Sequence, residues 1–278
     1  MKYTPRKITE NVNISKTSPL REFFLLTTGI LGTLIIIYLA LGLLLDLVVP
    51  RISYEMEDYL SSLFEYAYRN EEQHSPAVEE LQNLLDKLVS IGGFDERKYK
   101  IHLMRSPVVN AMAIPGGHIV VFSGLLEKLK SENELAMILG HELGHFQNRD
   151  HLRGLGRGLV LMFLASATLG IDSSVSKILQ STLITTEMKF SRKQELQSDE
   201  WGLELLEKMY GHAGGATDFF IEMSKEDKHS RAAYFFATHP YPEDRIKALQ
   251  SLIKDRNIPV LETKPLDQAL RSVEVEQK

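Results

Sequence analysis

The sequence lacks cysteine altogether, and this absence limits the chemistry that the chain can carry. Disulfides, thiolate metal ligands, a cysteine nucleophile and an acylated lipoprotein cysteine are all excluded. An excess of positive charge is also missing, because 32 Lys and Arg residues stand against 37 Asp and Glu residues and give a net charge of −5. No basic run interleaved with aromatic residues offsets this balance, which argues against a nucleic-acid partner.

Apolar residues are concentrated in one run near the N-terminus. From Phe23 to Leu45, the run FFLLTTGILGTLIIIYLALGLLL contains no charged residue. As a helix it would extend about 34 Å, which exceeds the bilayer core of about 30 Å. A cleaved signal peptide is the alternative, but its apolar region is shorter and ends at an A-x-A type cleavage site, which LLLDLVVPR does not contain. The run therefore predicts an uncleaved transmembrane anchor over residues 23 to 49.

Charges on the two sides of this run predict its orientation. Five basic residues precede it against two acidic ones, Glu10 and Glu22, and acidic residues dominate directly after it. Because positive flanks stay on the cytoplasmic side, we expect a cytoplasmic N-terminus over residues 1 to 22. The rest of the chain is then extracytoplasmic, on the periplasmic side if the membrane is a bacterial inner membrane. The basic residues are Lys2, Arg6, Lys7, Lys16 and Arg21.

Residues 50 to 256 are predicted to form one α+β domain, mainly α-helical with a small β-sheet. The pair Ser131 and Glu134 has the capping-box spacing, which predicts a helix from there to near Asp150. Residues 257 to 278 are expected to be a weakly ordered tail. The other elements follow from apolar periodicity and turn residues: helices over 75–93, 173–209 and 242–254, and strands over 98–105, 108–115 and 117–124.

The stretch MILGHELGHFQNRDH, residues 137 to 151, contains an H-E-x-x-H pattern. With 9 histidines in 278 residues, chance produces such a pattern about 0.03 times per chain. On a helix, His141 and His145 lie one turn apart on one face, so both imidazoles can bind one tetrahedral zinc ion. Glu142 points to the adjacent side, where it can take a proton from water and pass it to a leaving amine. Two structural histidines inside a buried helix are the alternative, but they would leave Glu142 without a partner.

A zinc site needs a third protein ligand, and two candidates compete. His151 stands where H-E-x-x-H-x-x-G-x-x-H has its third histidine, although Asn148 replaces the glycine of that pattern. Asparagine tolerates a left-handed turn, so this candidate stays open. In SRKQELQSDEWG, residues 191 to 202, Glu195 and Asp199 lie one helical turn apart. One carboxylate can bind zinc while the other holds a histidine ring, unless both belong to a solvated helix face and pair with nearby basic residues.

Four separated segments together resemble one known family, the HtpX-like zinc endopeptidases, which include the CAAX prenyl endoprotease and the bacterial envelope protease BepA. The resemblance covers roughly residues 75 to 255 and rests on the order and spacing of NAMAIPGGHIVVFSGLL, HELGHFQNRDH, SRKQELQSDEWG and THPYPEDRIKAL. It implies a zincin-type (gluzincin) metallopeptidase domain with the β-sheet beside the active-site helix. It also implies one zinc ion per chain. The resemblance assigns metal binding to His141, His145 and Glu195, the general base to Glu142, orientation of a ligand to Asp199, and a structural role to His151.

The apolar run at residues 158 to 170 departs from the pattern of the members closest to HtpX, which have several membrane spans. Its length is too short to cross a bilayer easily. This segment suits either a buried helix or a membrane-contacting one.

The motif Thr238-His239-Pro240 would by itself be read as an ordinary turn before a helix. The resemblance implies that His239 lies near the zinc and donates a hydrogen bond to the oxyanion of the tetrahedral intermediate. A histidine there can also act as a latch that occupies the open coordination position. Arg245 is expected to fix the turn rather than to contact substrate.

The run GHIVVFS follows a Pro-Gly-Gly turn and precedes the active-site helix. We expect His118, Ile119, Val120 and Val121 to form an edge strand that binds an extended peptide through main-chain hydrogen bonds. An interior strand that buries Ile119 and Phe122 is the alternative.

These observations predict a membrane-anchored zinc endopeptidase. The predicted topology and the family resemblance imply that its substrates are unfolded or misassembled envelope and membrane proteins, a role in protein quality control. Its partners are protein or peptide substrates and the lipid bilayer. A non-catalytic assembly factor that only binds unfolded chains is the alternative function. The intact Glu142 argues against it, because a pure binding protein needs no general base.

Overall fold

The computed structural model describes residues 18–61, 75–94, 96–169, 190–226, 233–240 and 242–274. Its strands are β1 (Lys100–Met104), β2 (Ala111–Ile114) and β3 (His118–Phe122). The arrangement is mainly helical with one three-stranded sheet, which confirms the predicted fold class. The helices are α1 (Pro19–Val48), α2 (Tyr54–Ser61), α3 (Pro76–Gly92), α4 (Ser123–Lys128), α5 (Glu132–Gln147), α6 (Asp150–Leu169), α7 (Arg192–Tyr210), α8 (Asp218–Ser224), α9 (Ala233–Thr238), α10 (Pro242–Asp255) and α11 (Gln268–Arg271).

The predicted anchor forms α1. An 18-residue window within the helical stretch Pro19–Arg51 has a mean hydropathy of 2.4. Within the described ranges this stretch alone is long and apolar enough to cross a membrane. No residue of α1 is buried in the protein. This N-terminal helix is compatible with a single membrane anchor. The first part of the predicted helix over 173–209, up to residue 189, lies outside the described residues.

The three-stranded sheet has the order β1-β3-β2, with β3 parallel to β1 and antiparallel to β2. The prediction that His118, Ile119, Val120 and Val121 form an edge strand is therefore wrong. Both edges of β3 are occupied by neighbouring strands, and three consecutive apolar residues of this strand are buried. A continuous apolar run is typical of a strand covered on both faces. The outer edge of β1 is covered by α3, where Gln82 Oε1 accepts a hydrogen bond from the Ile101 N–H at 2.9 Å.

The C-terminal segment packs on the domain, which differs from the weakly ordered tail predicted for it. Pro265 forms an isolated β-bridge with Ser131, and the Glu132 N–H donates to the Lys264 carbonyl at 2.9 Å. Three apolar side chains of the segment are buried: Ile258, Leu266 and Leu270. Ile258 and Leu266 lie outside helices, and the helix that contains Leu270 has only four residues, so no extended periodic pattern marks them in the sequence.

Candidate metal centre

His141 and His145 lie on α5, which is buried along nearly its whole length. The helix begins as the capping pattern predicts, because the Ser131 hydroxyl accepts a hydrogen bond from the Glu134 N–H at 3.2 Å. The Nε2 atoms of the two histidines are 3.0 Å apart. Both imidazoles therefore face the same point.

α7 crosses α5 so closely that side chains on α7 reach the two histidines. A Cβ at Gly140 would lie 3.0 Å from the Cα of Gly202, and a Cβ at Gly144 would lie 2.8 Å from the Cα of Ser198. Side chains at these positions would push the helices apart, because packed interiors leave no room for extra atoms. The glycines thus allow the carboxylates of α7 to approach the histidines.

Glu195 on α7 completes a group of potential metal ligands. Its Oε1 lies 3.6 Å from His145 Nε2, and its Oε2 lies 3.9 Å from His141 Nε2. His239 belongs to the same group, with Nδ1 3.2 Å from Glu195 Oε1. One donor atom from each of the four residues lies within 4.8 Å of the others.

The other ring nitrogens of the two histidines are held by aspartates. His141 Nδ1 lies 2.9 Å from Asp199 Oδ1, and His145 Nδ1 lies 3.0 Å from Asp150 Oδ2. Asp150 reaches His145 because α5 ends at Gln147 rather than near Asp150. Arg149, with φ of +54°, turns the chain so that Asp150 begins α6. Carboxylate partners fix the ring orientation and tautomer of metal-binding histidines in this way.

These contacts fit a bound divalent metal. When both histidines carry their proton on Nδ1, each Nε2 has a lone pair, and the two lone pairs face each other at 3.0 Å. Two lone pairs at this distance repel unless a positive charge lies between them. Glu195 Oε2 is buried without a hydrogen-bond partner. Two imidazole nitrogens and one carboxylate oxygen form a donor set that suits zinc.

Arg245 on α10 connects the two carboxylates of α7. Its Nε and Nη2 lie 2.8 and 2.6 Å from the two oxygens of Asp199. Its Nη1 lies 2.6 Å from Glu195 Oε2, an ion pair without hydrogen-bond geometry. The guanidinium is fully buried and lies 4.3 Å from the centre of the Phe220 ring. Arg245 thus orients two carboxylates of the candidate metal centre, a different role from the fixing of the turn that the sequence predicts.

The ionisation of the cluster follows from these neighbours. Burial and the charge of Arg245 lower the pKa of His141 to about 3. Burial would also lower the pKa of His145, but hydrogen bonds that its ring donates to the carboxylates of Asp150 and Glu195 raise it to about 9. For Glu195, burial favours the neutral acid, yet Arg245 and His239 hold its pKa well below the usual value. The shifts of His141 and Glu195 therefore favour a neutral imidazole and an ionised carboxylate, the forms in which these side chains bind a metal.

Glu142 lies beside the ligand cluster and contacts β2. Its Oε2 accepts a hydrogen bond from the Ala113 N–H at 2.9 Å, and its Oε1 lies 3.7 Å from His239 Nε2. Burial raises the pKa of this carboxyl. A buried carboxylate with a raised pKa is suited to accept a proton and release it again.

His151 lies away from the ligand cluster. Its Nε2 is 2.9 Å from Glu57 Oε1, a buried carboxylate on α2. The described geometry thus favours Glu195 over His151 as the third ligand. His118, Ile119, Val120 and Val121 lie in the central strand instead of at an edge facing the site.

Two residues of the site were missed by sequence reasoning. Asp150 is visible in the motif as an acidic residue, but its contact with His145 depends on the turn at Arg149. Arg245 is separated by 46 residues from Asp199. No local pattern of residues reveals such long-range contacts.

Comparison with known proteins identifies the family. Residues 76–253, more than half of the chain, match peptidase family M48. The chain belongs to this family. Membership in M48 confirms the resemblance inferred from the four sequence segments, and M48 metalloproteases are metal-dependent.

Three M48 relatives illustrate the range of similarity. The mitochondrial metalloendopeptidase OMA1 of Schizosaccharomyces pombe is 28% identical over 72% of this chain and 60% of its own length. The metalloprotease LoiP of Escherichia coli is 29% identical over 55% of this chain and 61% of its own length. The beta-barrel assembly-enhancing protease of Yersinia pestis is 23% identical over 62% of this chain and 38% of its own length. The chain thus spans less than two thirds of each relative.

Proposed function

We propose that the protein is a membrane-anchored zinc endopeptidase. The observation that carries this proposal is the convergence of two Nε2 atoms and the Glu195 carboxylate on one point, with Glu142 directly beside it. In this proposal His141, His145 and Glu195 hold one zinc ion per chain. Asp199 and Asp150 keep the two imidazoles in the tautomer that presents Nε2. Bound zinc would supply a Lewis acid that activates water and polarises the scissile carbonyl.

Glu142 acts as the general base in this mechanism. Its Oε1 takes a proton from the attacking water, and the same carboxyl then protonates the leaving nitrogen. The Ala113 N–H holds Oε2, so only one oxygen is free to exchange the proton. Burial raises the pKa of Glu142 and thereby makes it a stronger base.

His239 is proposed to donate a hydrogen bond to the oxyanion that forms from the peptide carbonyl. Its ring lies between Glu142 and Glu195, with Nδ1 3.3 Å from His141 Nε2. Phe235 stacks on this ring with centroids 5.4 Å apart and limits its rotation.

The substrate is proposed to bind as an extended chain along β2. In the antiparallel ladder with β3, Met112 and Ile114 pair with Val120 and His118. The intervening N–H groups of β2 point to the opposite edge, where Ala113 already meets Glu142. Main-chain pairing of this kind binds peptides with little dependence on side chains.

We expect Ala111→Pro to raise KM for peptides without changing the melting temperature, because proline removes the N–H of Ala111 at the outer edge of β2.

Unfolded or misassembled envelope and membrane proteins are the proposed substrates, on the extracytoplasmic side of the membrane. The basic N-terminus supports this orientation. A reporter that is active only outside the cytoplasm, fused after Lys278, should be active, and the protein should resist alkaline extraction from membranes. An inactive reporter would place the domain in the cytoplasm. Release at a mass lacking about fifty residues would identify α1 as a cleaved signal.

The enzymatic proposal is tested with the purified full-length chain in detergent. We expect it to contain zinc, to digest unfolded casein, to lose this activity on treatment with a chelator, and to regain it with added zinc. Binding of unfolded casein without cleavage would favour the alternative of an assembly factor. Cleavage that persists after complete removal of the metal would exclude the metal mechanism.

A further inference from the structure

α6 packs against the C-terminal end of the anchor helix α1 and runs in the opposite direction. Arg149, just before α6, donates from Nη1 to the Val49 carbonyl at 3.2 Å. Further along α6, Gly156 lies under Leu45, since a Cβ at Gly156 would come within 2.8 Å of Leu45 Cδ2. Residue numbers thus rise along α6 as they fall along α1, which makes the two helices antiparallel.

The charged residues of both helices stop at the same level. Asp46 is the first charged residue after the apolar run of α1. Its carboxylate lies 3.4 Å from Arg153 Nε and 3.6 Å from Arg157 Nη2. Beyond Arg157, α6 continues as GLVLMFLASATL, residues 158 to 169, without a charge. An ion pair at the end of two adjacent apolar segments is expected at a membrane interface.

One hydroxyl and one exposed apolar side chain in this part of α6 resemble those of α1. Thr168 donates its hydroxyl to the Leu164 carbonyl at 2.9 Å, as Thr33 does to the Gly29 carbonyl in α1. Such bonds satisfy a hydroxyl within its own helix where water is absent. Leu159 of α6 is 50% exposed, as a side chain in contact with lipid would be.

We propose that the C-terminal half of α6, residues 158 to 169, enters the bilayer beside α1 and that lipid covers its outward face. The segment is about 18 Å long as a helix, which reaches roughly the midplane of a core about 30 Å thick. This proposal rests on α1 spanning the membrane and is independent of the proposed catalytic activity.

The inserted half of α6 holds the metal centre close to the membrane. Asp150, which binds His145, is the first residue of α6. The helix between Asp150 and Gly158 is about 12 Å long. The centre is therefore positioned to act on chains that emerge from, or lie against, the membrane surface.

The absence of cysteine allows a direct test with single-cysteine variants of the full-length chain. Leu159→Cys and Thr168→Cys mark a shallow and a deep position on α6. Leu43→Cys and Ile35→Cys are the matched controls on α1, where both side chains are exposed. Ser251→Cys on α10 is the control in water. Each variant is labelled with an environment-sensitive fluorophore that dithionite can reduce, and it is reconstituted in two sets of vesicles of phosphatidylethanolamine and phosphatidylglycerol. One set carries nitroxide-labelled lipids for the quenching measurement, and the other set, without nitroxides, is used for the dithionite measurement.

We expect aqueous dithionite to reduce the α6 labels at least about tenfold more slowly than the Ser251→Cys label. The α1 labels should be reduced equally slowly. A nitroxide near the lipid headgroup should quench the fluorescence of the Leu159→Cys label most. A nitroxide near the end of the acyl chain should quench that of the Thr168→Cys label most. If dithionite reduces the α6 labels as fast as the Ser251→Cys label while the α1 labels stay protected, the proposal is overturned. Protection without quenching by lipid nitroxides also overturns it, because α6 is then covered by protein. Rapid reduction at Leu43→Cys as well refutes the membrane anchor itself.

Discussion

Glu57 on α2 accepts a hydrogen bond from His151 on α6, with the carboxylate Oε1 2.9 Å from the histidine Nε2. The same oxygen accepts from the Gly116 N–H at 3.1 Å and lies 2.7 Å from Arg97 Nη1. One buried carboxylate thus ties the helix that follows the anchor to the β2–β3 turn and to the start of α6. His151 is adjacent to Asp150, which contacts His145. The junction therefore also helps to position a residue of the candidate metal centre.

The Glu57 junction predicts a pH-dependent contribution to stability. Burial would raise the pKa of Glu57, but His151 and Arg97 lower it from 4.5 to about 2. A carboxyl group whose pKa is lower in the folded state stabilises the fold at pH values above its pKa in the unfolded state. This contribution disappears as the pH falls from 4.5 toward 2. We expect Glu57→Gln to lower the melting temperature at neutral pH, and the difference from wild type to shrink below pH 4.5. Asp58→Asn is the control, because Asp58 is 63% exposed; an equal effect there would contradict the prediction.

Glu142→Gln should reduce turnover of casein by at least about a hundredfold, the lower range for loss of a general base. The amide has the same shape and its oxygen can still accept from the Ala113 N–H, so zinc content and melting temperature should stay close to wild type. Turnover, metal analysis and thermal unfolding are measured on the same preparation. Unchanged proteolysis would eliminate Glu142 as the base.

The third ligand is tested by metal retention. Glu195→Gln should weaken zinc binding by more than about a hundredfold, since it removes a ligand rather than a supporting residue. His151→Gln should retain zinc, because its ring contacts Glu57 instead of the cluster. Zinc is measured after dialysis against a weak chelator. Loss of zinc from His151→Gln with retention in Glu195→Gln would reverse the assignment.

Arg245→Met should destabilise the domain by about 3 to 5 kcal/mol, the usual cost of removing one partner of a buried ion pair. Asp199 and Glu195 would otherwise remain charged without their shared partner. The control is Arg192→Met, whose exposed pair with Asp244 should contribute less than about 1 kcal/mol. Denaturant unfolding in detergent gives both values. Adding Asp199→Asn to Arg245→Met should recover part of the loss, and equal stabilities of the two arginine variants would refute the argument.

His239→Phe should lower turnover by about tenfold to a thousandfold, the range for one oxyanion donor, with little change in KM. Since His239 lies within the ligand cluster, it can instead hold the resting enzyme inactive by binding the metal. An increase in turnover would select this latch function. Steady-state kinetics on a peptide substrate distinguish the two outcomes.

Local sequence patterns predicted α3, α5 and α10 and the one-turn spacing of His141 and His145, because capping residues and helical spacing act over a few positions. Ser131 and its capping partner Glu134 are an example. The order of the strands was not predictable in this way. His118 to Val121 look alike in an edge strand and in a central strand until β1 is known to pair with them. Arg245 illustrates the same limit, since its partners are determined only by the packing of α10 against α7.

The contact between Arg245 and Asp199 also determines the order in which the candidate metal centre can be assembled during synthesis. The histidine pair is made first, Glu195 and Asp199 follow, and the guanidinium that neutralises them arrives on one of the last helices. At typical rates of translation of about 5 to 20 residues per second, roughly 5 to 20 s separate the first ligands from Arg245. Until Arg245 has been made, the carboxylates of α7 lack the shared partner that holds them. The candidate metal centre can therefore be completed only after α10 has been synthesised.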